Sequence, residues 1–229
     1  MLRPKKKISK RELKEDTLVT WYVNVTTWYG KHRKNISIAI TVVALAIIAV
    51  VVFLKNRSDN NERAMAQLGD VYAIFDSGQF QAAIDGVPER NIPGLKSIVE
   101  NYGNSPSGEL ARFYLANAYY QLGHYDEALR QFEEFSASDE MLTVSRYAGI
   151  AECFEAKGAY KEAAENFERA ATKYAKDVNA AENLNNAARN FGLVGEKEKA
   201  IELYKRLKKN YPTSVYAREA DRFIMQLSV

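Results

Sequence analysis

Catalysis needs nucleophiles, acids, bases or metal ligands held close together, and this 229-residue chain supplies few of them. Its two histidines are His32, inside the cluster Lys31-His32-Arg33-Lys34, and His124, in a turn between helical patterns. Neither a histidine-based triad nor a multi-histidine metal site is therefore available. The single cysteine, Cys153, has no companion thiol or histidine pattern and reads as a small buried apolar residue. Glu133-Glu134 and the pair Glu152 with Glu155 are of the right type for acid–base work, but on helical patterns they read as solvated faces. Phosphate-binding loops of the GxGxxG or GxxxxGK form are absent. The sequence predicts a non-catalytic protein without cofactor or metal, whose chemistry is that of binding.

The elements that would present binding residues are repeats. Gly123-x-Tyr125-x-x-Ala128-x-x-x-Phe132 recurs as Gly158-x-Tyr160-x-x-Ala163-x-x-x-Phe167 and as Gly195-x-Lys197-x-x-Ala200-x-x-x-Tyr204. Upstream of each lies a second helical pattern: Leu115-Ala116-x-x-Tyr119, Ile150-Ala151-x-x-Phe154 and Ala187-Ala188-x-x-Phe191. A small residue lets the paired helix approach, an aromatic fills the space beside it, and Gly ends the first helix. This is the tetratricopeptide pattern, with its period of about 34 residues. Asn60 to Gly86 reads as a degenerate first hairpin built on Leu68, Gly69, Tyr72 and Gly78-x-Phe80-x-x-Ala83, interrupted around Pro88 to Gly94. Thr213 to Leu227 is expected as a capping helix, because Tyr211-Pro-Thr-Ser214 echoes Tyr102-Gly-Asn-Ser105.

In such an array the first helix of each pair lines the concave face. Counting from Ala116 and Ala151 puts Leu110, Phe113, Asn117, Tyr120 and Gln121 there, beside Ala148, Glu152 and Glu155, then Asn185 and Arg189. Resemblance to chaperone-binding tetratricopeptide domains implies a Lys and Asn clamp on a partner's terminal carboxylate. Phe113 and Glu152 stand at two of its positions, and only Asn117 and Arg189 match, which disfavours that ligand. An exposed Phe and Tyr with nearby amides suit an apolar or helical segment, unless Phe113 and Tyr120 pack against the neighbouring repeat.

The run from Ile36 to Leu54, ISIAITVVALAIIAVVVFL, carries no charge, Pro or Gly and would span roughly 28 Å as a helix, the length of one membrane crossing. Residues 1–35 hold ten Lys or Arg against three acids, whereas residues 60–229 hold 20 basic and 25 acidic side chains. That asymmetry predicts a cytoplasmic N-terminus and an exported C-terminal domain. The acidic domain lacks the electrostatic footprint of nucleic-acid binding. Leu18, Trp21, Tyr22, Val25, Trp28 and Tyr29 recur at helical spacings, with both tryptophans of the protein on the stripe. Ending at Gly30, this face is expected in the cytoplasmic headgroup layer, with Trp21, Tyr22, Trp28 and Tyr29 at the membrane interface. The expected plan is a basic cytoplasmic tail over residues 1–35, polybasic and mobile to residue 11, with an interfacial helix. A transmembrane helix over 36–54, a polar linker over 55–61 and a repeat domain over 62–229 complete it.

A basic tail, single span and tetratricopeptide domain together resemble the bacterial ancillary SecYEG translocon subunit family, whose repeats are related to those of the TolA-binding cell-division coordinator. GLKSIVENYGNSPSGELARFYLANAYYQLGHYDEALRQFEEF and AGIAECFEAKGAYKEAAENFERAA look like the Bacteroidota and Chlorobi version. The resemblance implies a translocon-associated or envelope-chaperone role at the inner membrane, with the repeats in the periplasm. The expected fold is all-α: a transmembrane helix, a tetratricopeptide α-solenoid and a capping helix. Two functions remain open: an anchored scaffold or co-chaperone for envelope or translocating proteins, and a fixed accessory subunit of a large inner-membrane complex. Partners are proteins, with lipid met through the anchor. The sequence does not specify the oligomeric state.

Overall fold

The computed structural model describes residues 10–136, 139–174, 176 and 178–228; residues 1–9 of the polybasic start lie outside these. The elements are helices α1 (Lys10–Asp76) and α2 (Phe80–Asp85), strands β1 (Gly86–Val87) and β2 (Ile92–Pro93), and helices α3 (Leu95–Tyr102), α4 (Pro106–Gln121), α5 (Tyr125–Glu134), α6 (Glu140–Ala156), α7 (Tyr160–Lys173), α8 (Ala180–Leu193), α9 (Lys197–Asn210) and α10 (Val215–Leu227). They form two units, Met1–Asn56 and Arg57–Val229.

The first unit is the major part of α1. This helix is long and apolar enough to cross a membrane, and its most apolar window is not buried within the molecule. Thr41 donates its hydroxyl to the Ser37 carbonyl at 2.9 Å, so the more deeply placed of the span's two hydroxyls is satisfied within the helix. Two expectations differ from what is observed. The aromatic stripe does not form a separate element ending at Gly30, because α1 continues through Gly30. The stretch 55–61 is also helical rather than a linker. No Pro follows Gly30 before the repeats, so nothing in the sequence forces a break, and Asn61 Oδ1 accepts the Ser107 N–H at 2.8 Å, tying this turn of α1 to α4.

The second unit is a stack of antiparallel helix pairs: the end of α1 with α2, sharing a core of Leu68, Val71, Ile74, Ala83 and Ile84, then α4 with α5, α6 with α7, and α8 with α9, with α3 packed on α4 and α10 closing the end. Each first helix ends the same way. Gly78, Gly123, Gly158 and Gly195 have φ between 76° and 79°, a left-handed conformation that only Gly adopts without strain. The next N–H reaches back five residues, as in His124 to the Tyr119 carbonyl, Ala159 to Phe154 and Glu196 to Phe191, each at 2.9 Å. Gln79 does the same to Ile74 at 3.3 Å, which makes the degenerate first hairpin a true member of the series.

Packing follows the motif. Ala116, Ala151 and Ala188 on the first helices, and Ala128, Ala163 and Ala200 on the second, are wholly buried, so facing helices meet at small side chains. Phe132, Phe167 and Tyr204 fill the space between pairs and are nearly inaccessible, each burial stabilising the fold by roughly 1.5–3 kcal/mol. Ser105, Asp139 and Ser214 cap α4, α6 and α10 by accepting the N–H of the residue three positions on, at 3.1, 2.8 and 3.1 Å. The interruption in the first repeat is a hairpin: β1 pairs antiparallel with β2, Gly86 opposite Pro93, around a single 3₁₀ turn Pro88–Arg90. Its ends meet. A Cβ on Gly94 would come within 2.1 Å of the Ile84 carbonyl oxygen, so α3 restarts where α2 stops.

Candidate protein-binding groove

Because α4, α6 and α8 are the first helices of successive pairs, their outward faces together line one concavity, a groove of about 280 Å³. From α4 come Phe113 and Asn117; from α6 Ser145, Ala148, Gly149 and Glu152; from α8 and its lead-in Asn179, Glu182, Asn183 and Asn186, with Phe132 and Val144 beneath. Gly149 lets the floor form, since the Phe132 ring occupies the place a side chain would take.

The groove is polar. Asn117 Nδ2 donates to the Phe113 carbonyl at 2.8 Å, which fixes the amide along the helix. Glu152 keeps a water-accessible surface, yet protein crowds its carboxylate from several sides. This desolvation, followed by the charges of Glu182 and Glu155, raises its pKa above the usual carboxylate range. Burial first, then the nearby Glu182, raises the pKa of the Tyr216 hydroxyl on α10. Asn183 is almost wholly buried, and its Nδ2 has no hydrogen-bond partner. Among the described lining residues are two carboxylates and no cation.

The residues expected on the concave face divide. Phe113, Asn117, Ala148 and Glu152 line the groove. Leu110 instead packs against the first-repeat core and lines a separate depression with Phe135 and Leu142. Tyr120 is half-buried against Ala116, Ala128, Ile150 and Cys153, with its ring 5.5 Å from that of Tyr125. Phe113 also packs, its ring 5.9 Å from Phe132 and 5.5 Å from Phe135. The exposed apolar surface expected from Phe113 and Tyr120 is thus largely consumed between neighbouring helices. Glu155 and Arg189 are engaged with each other at 2.6 Å, away from the groove lining, and neither Gln121 nor Asn185 lines it.

Ser145, Glu182, Asn183 and Asn186 were not among the expected residues. Their signal lay in the geometry of the stack. The groove crosses α4 near Asn117 but α8 in its first two turns, around Glu182 and Asn183, the drift that the superhelical twist of a repeat stack produces. A register carried unchanged from repeat to repeat lands a turn too late on α8, at Asn185 and Arg189.

No other arrangement among the described residues offers chemistry. Cys153 is buried on α6, and burial first, then Glu152, pushes its thiol up to about 12. Among the described residues no group of three His, Cys, Asp or Glu is placed to hold a metal.

The tetratricopeptide repeat pattern matches residues 113–178 and again 179–214. Three solved structures share the fold. A putative kinesin light chain of Podospora anserina with nearly identical TPR-like repeats is 18% identical with a TM-score of 0.54, covering 73% of this chain and 86% of that one. A substituted form of the same protein gives 17%, 0.56, 73% and 85%. The MamA protein gives 17%, 0.54, 73% and 87%. No curated protein matches the chain. At these identities the likeness is one of fold.

Proposed function

We propose that this chain of tetratricopeptide repeats is a membrane-anchored scaffold or co-chaperone that holds protein segments in its concave groove, beside the machinery that exports them. One observation carries the reading: three rigid first helices converge unreactive but hydrogen-bonding side chains on one groove, in a chain that also bears an apolar helix of membrane-spanning length. The chain is non-catalytic in this reading. The charge asymmetry across the apolar run supports an inner-membrane anchor with a cytoplasmic N-terminus and periplasmic repeats. The resemblance of its repeats to ancillary translocon subunits supports envelope or translocating proteins as partners.

Gentle solubilisation of native membranes, followed by identification of co-purifying proteins with the wild type and with a groove variant, Asn117→Ala with Asn186→Ala, tests the reading. Partners lost from the variant while its melting is unchanged would support it; an unchanged partner set would move the site off the groove. Protease added to sealed spheroplasts should digest the repeats, and complete protection would reverse the orientation. The second reading, a fixed subunit of a larger complex, is favoured by the unbroken α1. Trp21 lies fifteen residues before Ile36, roughly 22 Å along a straight helix and beyond the headgroup layer, where another protein would have to cover it. A stoichiometric partner retained through solubilisation would select that alternative.

A further inference from the structure

We propose, resting on the groove as the binding site, that its occupant is an extended polypeptide segment carrying a lysine or arginine, whose cation lies between Glu152 and Glu182 while Asn183 bonds the segment's backbone.

Three observations converge on this ligand. The first is an unmet donor. Asn183 is 4% exposed and lines the groove, and its Nδ2 has no acceptor. A buried amide left unpaired is costly, so an acceptor brought into the groove beside Asn183 would stabilise the complex once the amide turns to meet it. A peptide carbonyl is the acceptor that any sequence supplies.

The second is charge. Glu152 and Glu182 face one groove whose described lining holds no cation. The neighbouring cations are committed elsewhere: Arg189 to Glu155 at 2.6 Å, Lys157 to Asp126, and Lys161 to Glu196 at 2.8 Å. Burial first, then the charges of Glu182 and Glu155, raises the pKa of Glu152, so both groove carboxylates add to one negative field. A guest ammonium or guanidinium would neutralise that field and make charge-assisted hydrogen bonds to both.

The third is size. At about 280 Å³ the groove is at the small end of ligand sites, enough for one long side chain and the backbone that carries it. An extended segment also exposes the backbone carbonyls that a helix keeps bonded to itself, and these are what Asn183 requires.

The test uses the full chain in detergent and fluorescence anisotropy with three labelled nonapeptides of alternating Ser and Ala, differing only at a central Lys, norleucine or Glu. The Lys peptide should bind at least tenfold more tightly than the norleucine peptide, the Glu peptide should not bind, and added salt should narrow the difference. The double variant Glu152→Gln, Glu182→Gln should bind the Lys and norleucine peptides equally. Asn183→Ala should weaken both by a similar few-fold, as a backbone contact requires. Equal binding of Lys and norleucine peptides by the wild type would overturn the inference and leave the groove as a site of another specificity. Failure of all three to bind would also overturn it, while the co-purification comparison judges the groove separately. A Lys preference that persists in the double variant would place the cation elsewhere and equally defeat it.

Discussion

The ring of Phe132, from α5, lies where the side chain of residue 149 on α6 would be: a Cβ built on Gly149 comes within 2.5 Å of the Phe132 Cζ. One repeat thus inserts its motif aromatic into the next through a gap that only Gly provides, directly beneath the groove. Gly149→Ala should destabilise the protein by about 1–3 kcal/mol through overpacking, although Ala favours helix elsewhere. A melting temperature equal to the wild type would show that the ring can move aside.

Ala128 and Ala163 occupy the helix crossings of consecutive pairs, both wholly buried. Leucine at either should cost about 1–3 kcal/mol and broaden the transition, because each pair stabilises its neighbours. Glu133→Gln, on an exposed face, should melt like the wild type. Unaltered melting of both alanine variants would refute the register of the repeats.

With its pKa raised to about 12, Cys153 at pH 8 is thiolate in on the order of one molecule in ten thousand. The native protein should therefore resist an aromatic disulfide reagent over hours and release one equivalent of chromophore once unfolded in guanidinium. Rapid reaction of the folded protein would mean that α6 opens locally.

Glu152 is a carboxylate whose pKa is raised in the fold, by desolvation and then by Glu182 and Glu155. The fold therefore favours its protonated form. Its contribution is intact below the usual carboxylate range and is lost as pH rises through the raised value. Glu152→Gln should accordingly be more stable than the wild type at pH 7, by up to about 1 kcal/mol given the water access, and the gain should vanish near pH 4. Denaturant midpoints across this range decide it; a variant less stable at pH 7 would mean that the Glu152 carboxylate is held by a partner group.

Trp21 and Trp28 are the protein's only tryptophans, and both stand exposed on α1. In vesicles containing brominated lipid, a helix bent at Gly30 to lie in the headgroup plane should show strong quenching of both. A straight α1 should leave Trp21 unquenched, so single-tryptophan variants, each with the other changed to Phe, separate the two geometries.

Much of this architecture is written in local spacing. Gly123, Gly158 and Gly195 with the alanine five residues later mark each hairpin, because a left-handed closure and a close crossing each admit few residue types. Ser105 and Ser214 likewise announce the helices they cap. The groove was legible only on α4 and α6, where Asn117 and Glu152 fall into it. On α8 the accumulated rotation between pairs displaced it to Glu182 and Asn183, and that rotation is a property of packed helices with no sequence period of its own. The polar residues Lys55 to Asn61 look like a linker, but they hold no Pro or Gly to break a helix, and the Ser107 N–H donated to Asn61 ties the last of them to α4.

The hairpin of the first repeat leaves the helical stack at Gly86 and returns at Gly94, with the backbones at the two points in contact. Exit and entry therefore coincide, and while Val87 and Ile92 pack on the first-repeat core, the length of the exposed turn between them matters little to the rest of the repeat. That makes the exposed turn from Pro88 to Asn91 a grafting socket, where an epitope or a small fluorescent domain should replace the turn without moving a helix. The socket's rim is the part that cannot change: any side chain at Gly94 would collide with the Ile84 carbonyl and pry α2 from α3.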